Sequence, residues 1–443
     1  MSILINTLRA IAYTLVNPNS VLILIMLAFM LYRQNKNITI MQKMIVGENF
    51  DSSLELTISQ IVIGIIAGAV SSIILAFLGV AFDENSAIYL IFLISIFFMF
   101  IKPRFICFAY SGALLGILSL ILELISKIYA GVKINLFGSV IDLANVDILK
   151  IDIGSLIVLI SVLHFIEGIL VIIDGKRGAI PVFTNRGDKI IGGFALRRNW
   201  LVPVALFLII NNPINLEYTQ NIATPSWWPF LKISPFLNMA KGAAVTLFAY
   251  FSIIGYSSVT FTKSKEEKTF SSGIALLLYS IILFVLAQFS YLSYMYKLLL
   301  IIFTPVAHEF MINIQNFLEV KRNPKYVSGD NGIMVLEVAP NSPAQEMGIK
   351  SGDLLVEVNN KKITSENDIL YPSIEGVNYI SFKIERGMGK HYEVSYNKMN
   401  KEKKIGIVFV PKNIPKDSTV IHYDETKFKE IFDKIKNKKD DDE

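Results

Sequence analysis

Residues 329–363 read Gly329-Asp-Asn-Gly-Ile-Met-Val-Leu-Glu-Val-Ala-Pro-Asn-Ser-Pro-Ala-Gln-Glu-Met-Gly-Ile-Lys-Ser-Gly-Asp-Leu-Leu-Val-Glu-Val-Asn-Asn-Lys-Lys-Ile363. Gly332–Val338 has the composition of a strand, and Pro340 and Asn341 close it. Ser342-Pro343-Ala344 starts a short helix over Pro343–Met347, with the serine as N-cap and the proline at the first helical position. Gly348 and Gly352 relieve turns that side chains would crowd, and Asp353 is placed to accept turn N–H groups. Asp353–Val358 is a second strand, ended by the tight turn Asn359-Asn360. Downstream, Ser365 caps a helix that stops before Pro372. Tyr379–Glu385 and His391–Tyr396 form a hairpin across Gly387 and Gly389, and Lys404–Val410 gives one further strand. The result is a small α+β domain over 321–411, of a size that folds independently. It is followed by a charged tail, 412–443, in which Phe428, Ile431, Phe432 and Ile435 make one apolar stripe on a short amphipathic helix.

Upstream the sequence has a different character. The whole protein has 443 residues, of which 53% are hydrophobic and only 18% charged, with a mean hydropathy of +0.51. Soluble domains carry about a quarter charged residues. The deficit lies before Arg322, where residues 1–320 read as an α-helical membrane bundle. A helix needs roughly 20 apolar residues to cross a bilayer. Candidate spans are Ile11–Tyr32, Ile58–Val80, Ala87–Ile101, Phe105–Ile125, Ile153–Ile173, Trp200–Asn211, Met239–Phe261, Ser271–Phe289 and Tyr291–Val306. Two are short and the first is broken by Asn17-Pro18-Asn19, so seven to nine crossings are expected.

Loop charge gives the orientation. Lys176, Arg177, Arg186, Lys189, Arg197 and Arg198 crowd one loop, Lys263, Lys265 and Lys268 another, and Lys321, Arg322 and Lys325 follow the last span. Short loops rich in Lys and Arg stay cytoplasmic. The reading is therefore a multi-pass protein of the cell membrane whose small domain and C-terminus face the cytoplasm. The net charge of +5 is a topology signal rather than a nucleic-acid footprint. The single cysteine, Cys107, forbids an intramolecular disulfide.

The order Gly-apolar-x-Val, Pro-x-Ser-Pro-Ala, Gly-apolar-x-x-Gly-Asp and Val-Asn-x-x-x-Ile within 329–363 resembles the bacterial PDZ domain. Such domains bind an extended peptide, usually the C-terminus of a protein, as an added strand on a sheet edge. The resemblance implies a carboxylate held by backbone N–H groups at Gly332 and Ile333, a peptide strand along Met334, Val335 and Leu336, and a side-chain pocket at Ile369 and Leu370. The alternative is that these residues are ordinary core of a module without a tight peptide site. The layout of bundle plus C-terminal PDZ domain resembles the MinJ-type determinants of cell division. Leu163–Gly168, Gly175–Ala179, Pro181 and Thr304–Glu309 contribute to that likeness. It implies a scaffold at septum and poles that links DivIVA-like to MinD-like division proteins, and through MinD to MinC.

The rival reading is a PDZ-containing intramembrane metalloprotease. Zinc proteases present His-Glu-x-x-His on one helix face, whereas His308-Glu309 is followed by Phe310, Met311 and Ile312. The specific signal for zinc is missing, and no metal or cofactor is assigned. His164 and Glu167 share a helix face inside an apolar run and, with His308 and Glu309, make a candidate intramembrane polar site. Either they fasten helices together, or they carry metal or proton chemistry, or they meet a partner. A serine peptidase of the HtrA kind would need a trypsin-like domain for which the soluble part has no room. A non-enzymatic, membrane-anchored PDZ adaptor is the expected function.

Overall fold

The computed structural model describes residues 2–47, 50–101, 103–128, 133–136, 139–142, 149–187, 189–210, 228, 230, 244–369, 379–387, 389–397 and 404–412. Helix α1 (Ser2–Val16) and helix α2 (Pro18–Val46) meet at Asn17 with a bend of 72°. Asn17 caps α2 by accepting from the amides of Asn19 and Ser20, and Pro18 occupies the first helical position, where its missing N–H costs nothing. The interruption expected at Asn17-Pro18-Asn19 is thus a break between two helices. Helix α3 (Ser53–Leu78) starts from a capping box of Ser52 and Glu55. Strand β1 (Ala81–Asp83), helix α4 (Leu90–Ile101), helix α5 (Phe108–Ile128) and the hairpin β2 (Lys133–Leu136) and β3 (Ser139–Asp142) follow. Then come helix α6 (Ile153–Asp174), strands β4 (Ile180–Arg186), β5 (Lys189–Ile210) and β6 (Ala244–Thr260), and helices α7 (Lys265–Ala287) and α8 (Tyr294–Lys321).

Among the described residues five helices, α3, α5, α6, α7 and α8, are long and apolar enough to cross a membrane, and the bent pair α1/α2 would make a sixth. The side-chain distribution on α3 inverts that of a water-soluble helix. Ile58, Val62, Ile66 and Val70 point outward, while Gln60, Gly64, Gly68, Ser71 and Ser72 are interior, the arrangement lipid favours, with small and polar residues at the helix interface. Asn35 on α2 donates to Thr57 (2.9 Å) and Gln60 (2.7 Å) on α3, which fastens the two helices through buried amides.

Two of the nine expected spans are strands. The described part of Trp200–Asn211, up to Ile210, falls on β5, and that of Met239–Phe261, from Ala244, on β6; the two strands pair antiparallel without a break from Phe194↔Thr260 to Ile210↔Ala244. The first is rich in Val, Ile and Leu and the second in Val, Ile, Phe and Tyr, and a continuous apolar run fits a buried strand as well as a helix. Among the described residues the candidates number five or six, so the expected seven to nine helical crossings are met only in part. An unpaired strand edge is costly away from water, and α3 covers that of β5. A Cβ on Gly64 would lie 2.1 Å from the Leu201 carbonyl oxygen and one on Gly68 2.2 Å from that of Pro203. One turn further, Ser72 Oγ accepts from the Ala205 amide at 2.9 Å. The helix thus lies directly on the strand backbone.

The small domain is built from β7 (Tyr326–Val327), β8 (Ile333–Val338), helix α9 (Pro343–Glu346), β9 (Leu354–Val358), β10 (Lys361–Lys362), β11 (Ile380–Arg386), β12 (Lys390–Tyr396) and β13 (Ile407–Phe409). Its sheet runs β12-β11-β9-β8-β13, with β10 on β9. Ile333, Val335, Ala344, Leu355, Ile363, Phe382 and Ile384 form its core. Asp353 accepts from the Lys350 amide (2.7 Å) and from the Arg386 guanidinium at 2.7 and 2.6 Å. The carboxylate in turn pushes Arg386 above its ordinary pKa.

The domain is docked on the helical part rather than tethered to it. β7 joins the bundle's sheet, with Ile191↔Val327 and Gly192↔Tyr326 paired. Tyr326 is buried edge-on against Phe194 at 5.6 Å, and Leu336, Val408 and Val410 belong to the same apolar cluster as the bundle. Gly192 is where the two parts touch: a Cβ there would stand 2.7 Å from Val410. Lys265 reaches Glu337 at 2.5 Å and Lys325 reaches Glu267 at 2.7 Å. The tail after Lys412, with the expected stripe Phe428–Ile435, lies outside the described residues.

Candidate functional site

A peptide adds to a sheet only where a strand has an unpaired edge. The expected peptide strand, Ile333, Met334, Val335 and Leu336 on β8, has none. One side of β8 pairs with β9 through Ile333↔Leu355 and Met334↔Leu354. The other side pairs with β13 through Ile407↔Val338, Val408↔Glu337 and Phe409↔Val335. The Gly332 amide, expected to hold a carboxylate, donates to the Gly329 carbonyl in a closed turn. These site assignments are therefore corrected: β8 is an interior strand.

Among the described residues the edge on this side of the sheet belongs to β13. Gly406, just before it, has φ +79 and no room for a side chain, since a Cβ would meet Ser342 at 2.2 Å. The Gly406 carbonyl accepts from Ala339 and the Val410 amide donates to Met334. Backbone groups alternate sides along a strand, so those of Ile407 and Phe409 face away from β8, on the side where no described strand pairs. Their side chains are half-buried against the domain core, whereas Val408 and Val410 are buried against the bundle.

Near the end of β13 lies the helical turn 367–369. Asp368 accepts from the amides of Thr364 (2.8 Å) and Ser365 (2.9 Å) and from the Thr364 hydroxyl. Those donors hold its carboxyl below the ordinary carboxylate range, so this bracing is present above about pH 4 and is lost as pH falls. The Lys412 amide donates to Glu366 at 2.7 Å, which ties the end of β13 to this turn. Ile369 is buried in the same core as Ile405. Leu370 lies outside the described residues.

The second cluster lies within the helices. His164 on α6 and His308 on α8, both expected at a polar site, face each other with ring centroids 5.5 Å apart. Glycines let the helices close to that distance. Gly112 and Gly116 of α5 sit against Ile160 of α6 and Ile301 of α8, and Gly168 of α6 sits against Gly273 of α7. Cys107, at the start of α5, completes the group. Its Sγ lies 2.9 Å from His164 Nε2 and 3.5 Å from His308 Nε2. The cysteine carried no local signal, because 57 and 201 residues separate it from the two histidines. Glu167 is buried one turn after His164. Glu309 accepts from the Tyr110 hydroxyl. Asp174, the other carboxylate near α6, is taken by Arg198 and Trp200.

A PDZ domain family model matches residues 334–371. Serine protease HTRA3 of Homo sapiens is 43% identical over 47 residues, which is 11% of this chain and 10% of that protein. Serine protease HTRA1 of Xenopus tropicalis is 35% identical over 52 residues, 12% of this chain and 11% of its own length. The protein thus spans about a tenth of the curated relatives it matches.

Proposed function

We propose that this protein is a membrane-anchored PDZ adaptor that captures the C-terminal segment of a partner on the open edge of β13. The carrying observation is that edge itself. It combines outward backbone groups at Ile407 and Phe409, a glycine with φ +79 before them and the turn 367–369 near the strand's end. Backbone pairing supplies affinity and the Ile369 pocket supplies side-chain preference. Docking of the domain through β7, Lys265–Glu337 and Lys325–Glu267 presents the edge at a fixed place on the membrane protein. Basic residues gather at the same end, namely Lys176, Arg177, Lys263, Lys265, Lys321 and Arg322, which supports a cytoplasmic PDZ domain.

The finer reading is a non-enzymatic role in bacterial division-site placement, with DivIVA- and MinD-like proteins as partners. It rests on the resemblance of the layout and its motifs to the MinJ type. A fluorescently tagged copy in growing cells is expected to concentrate at septa and poles. A uniform envelope signal removes the division role and leaves the adaptor.

The rival reading, a metalloprotease-like protein, draws on the meeting of Cys107, His164 and His308. It requires that His308→Ala with Glu309→Ala abolish cleavage of a membrane substrate. The adaptor reading requires instead that both substitutions leave partner capture intact.

A further inference from the structure

Three elements that are far apart in sequence bring three metal-ligating atoms to one point. Cys107 Sγ stands at the start of α5, His164 Nε2 in the middle of α6, and His308 Nε2 one turn after Pro305 on α8; all three lie within 4.8 Å of one another. We propose that these atoms form a three-ligand site for a borderline-soft divalent transition metal, zinc, with one coordination position left open.

Hydrogen bonding orients both rings for this. His164 Nδ1 lies 2.8 Å from the Ile160 carbonyl. A carbonyl only accepts, so Nδ1 carries the proton and Nε2 turns a lone pair toward the sulfur. Tyr110 donates to Glu309, and its oxygen lies 3.4 Å from His308 Nδ1, where it can accept from a proton-bearing Nδ1. That again leaves the Nε2 lone pair facing Cys107. A neutral thiol has one proton and cannot serve two lone pairs at once. A thiolate and two imidazoles around a cation satisfy all three atoms together. Outer partners that fix the tautomer of a ligating histidine in this manner are the usual second layer of a metal site.

The distances fit. Zinc bonds of about 2.3 Å to sulfur and about 2.0–2.1 Å to nitrogen in a tetrahedron place S and N about 3.5 Å apart. His308 already meets that spacing, at 3.5 Å, and His164 at 2.9 Å needs an opening of a few tenths of an ångström. The Ala109 amide points at the sulfur from 3.3 Å, and a helix N-terminus favours a thiolate. The Tyr279 ring leans on both imidazoles, 5.1 and 5.5 Å away, with its hydroxyl fixed on the Thr304 carbonyl. One thiolate with two imidazoles is a donor set for zinc rather than for magnesium or calcium, and three protein ligands leave the fourth position for water or another donor.

The test uses the full-length protein, purified in detergent without an affinity metal. Elemental analysis is expected to find about one zinc per molecule. Cobalt substitution is expected to give a thiolate-to-metal charge-transfer band that Cys107→Ser abolishes and His164→Ala or His308→Ala weakens. The unmutated protein provides a check independent of how the variants fold. Cys107 is its single cysteine, so alkylation reports on this site alone. Removing metal with a chelator is expected to accelerate that labelling at least tenfold, and added zinc to restore protection. Metal well below one per molecule after zinc loading, a cobalt spectrum without a thiolate band, or equal labelling with and without chelator would overturn the proposal.

Discussion

Arg198→Ala is expected to destabilise the helical part by about 3–5 kcal/mol, the cost of leaving a buried charge without its partner. Arg198 is fully buried and meets Asp174 Oδ2 through two nitrogens, at 3.0 and 2.6 Å. The same oxygen accepts from Trp200 Nε1 at 2.8 Å, and the guanidinium also reaches Ser59 at 2.9 Å and the Leu56 carbonyl at 3.4 Å. One ion pair therefore joins the end of α6, the strand β5 and the helix α3. Removing the arginine strands the Asp174 carboxylate in an apolar cluster that contains Trp200 and Val171. Exchange of both charges for apolar residues, Asp174→Leu with Arg198→Met, is expected to recover most of the loss, because no unpaired charge then remains. Unfolding in a graded detergent series measures each variant. Equal losses for the single and double variants would mean that the geometry of the pair matters rather than its charge.

Gly68→Leu is the second large effect, expected at about 3 kcal/mol or more. The glycine is where α3 lies on the β5 backbone, and the first atom that an added Cβ would meet is a carbonyl oxygen 2.2 Å away. Backbone cannot swing aside as the end of a flexible residue does. The helix must withdraw, which also breaks the Ser72 contact to the Ala205 amide and bares the strand edge. Gly329→Leu provides the comparison, since a Cβ there meets nothing within 4 Å, and is expected to fall within about 0.5 kcal/mol of the parent. The difference between the two variants is read from the same unfolding series.

The helices α3, α5, α6, α7 and α8 were legible because length and hydropathy suffice for a helix that must bond its own backbone in lipid. β5 and β6 were not, because their apolar runs carry neither helical nor alternating periodicity and only their pairing distinguishes them. The PDZ strands were readable one by one from their turns. The order in which they pair was not: Lys404–Val410 reads as a trailing strand, yet among the described residues its core Ile407–Phe409 takes the edge beside β8. At the cluster within the helices His164 and His308 stood out as polar residues in apolar runs. Cys107 behaves in sequence like any small apolar residue, and only the convergence of α5, α6 and α8 sets its sulfur between the two imidazoles.

The adaptor reading stands on the open edge of β13, and peptide titration reaches it directly. The full-length protein in lipid nanodiscs is titrated with short fluorescent peptides ending in Ala, Val, Leu, Ile or Phe, each prepared with a free and with an amidated C-terminus. The Ile407→Pro variant, which removes an outward N–H while leaving the β8 ladder paired, is titrated alongside. Saturable binding of at least one free-carboxylate peptide is predicted, weakened at least tenfold, about 1.4 kcal/mol, by amidation and by Ile407→Pro. Equal binding of free and amidated peptides, undiminished binding to Ile407→Pro, or no saturation by any of them would contradict it.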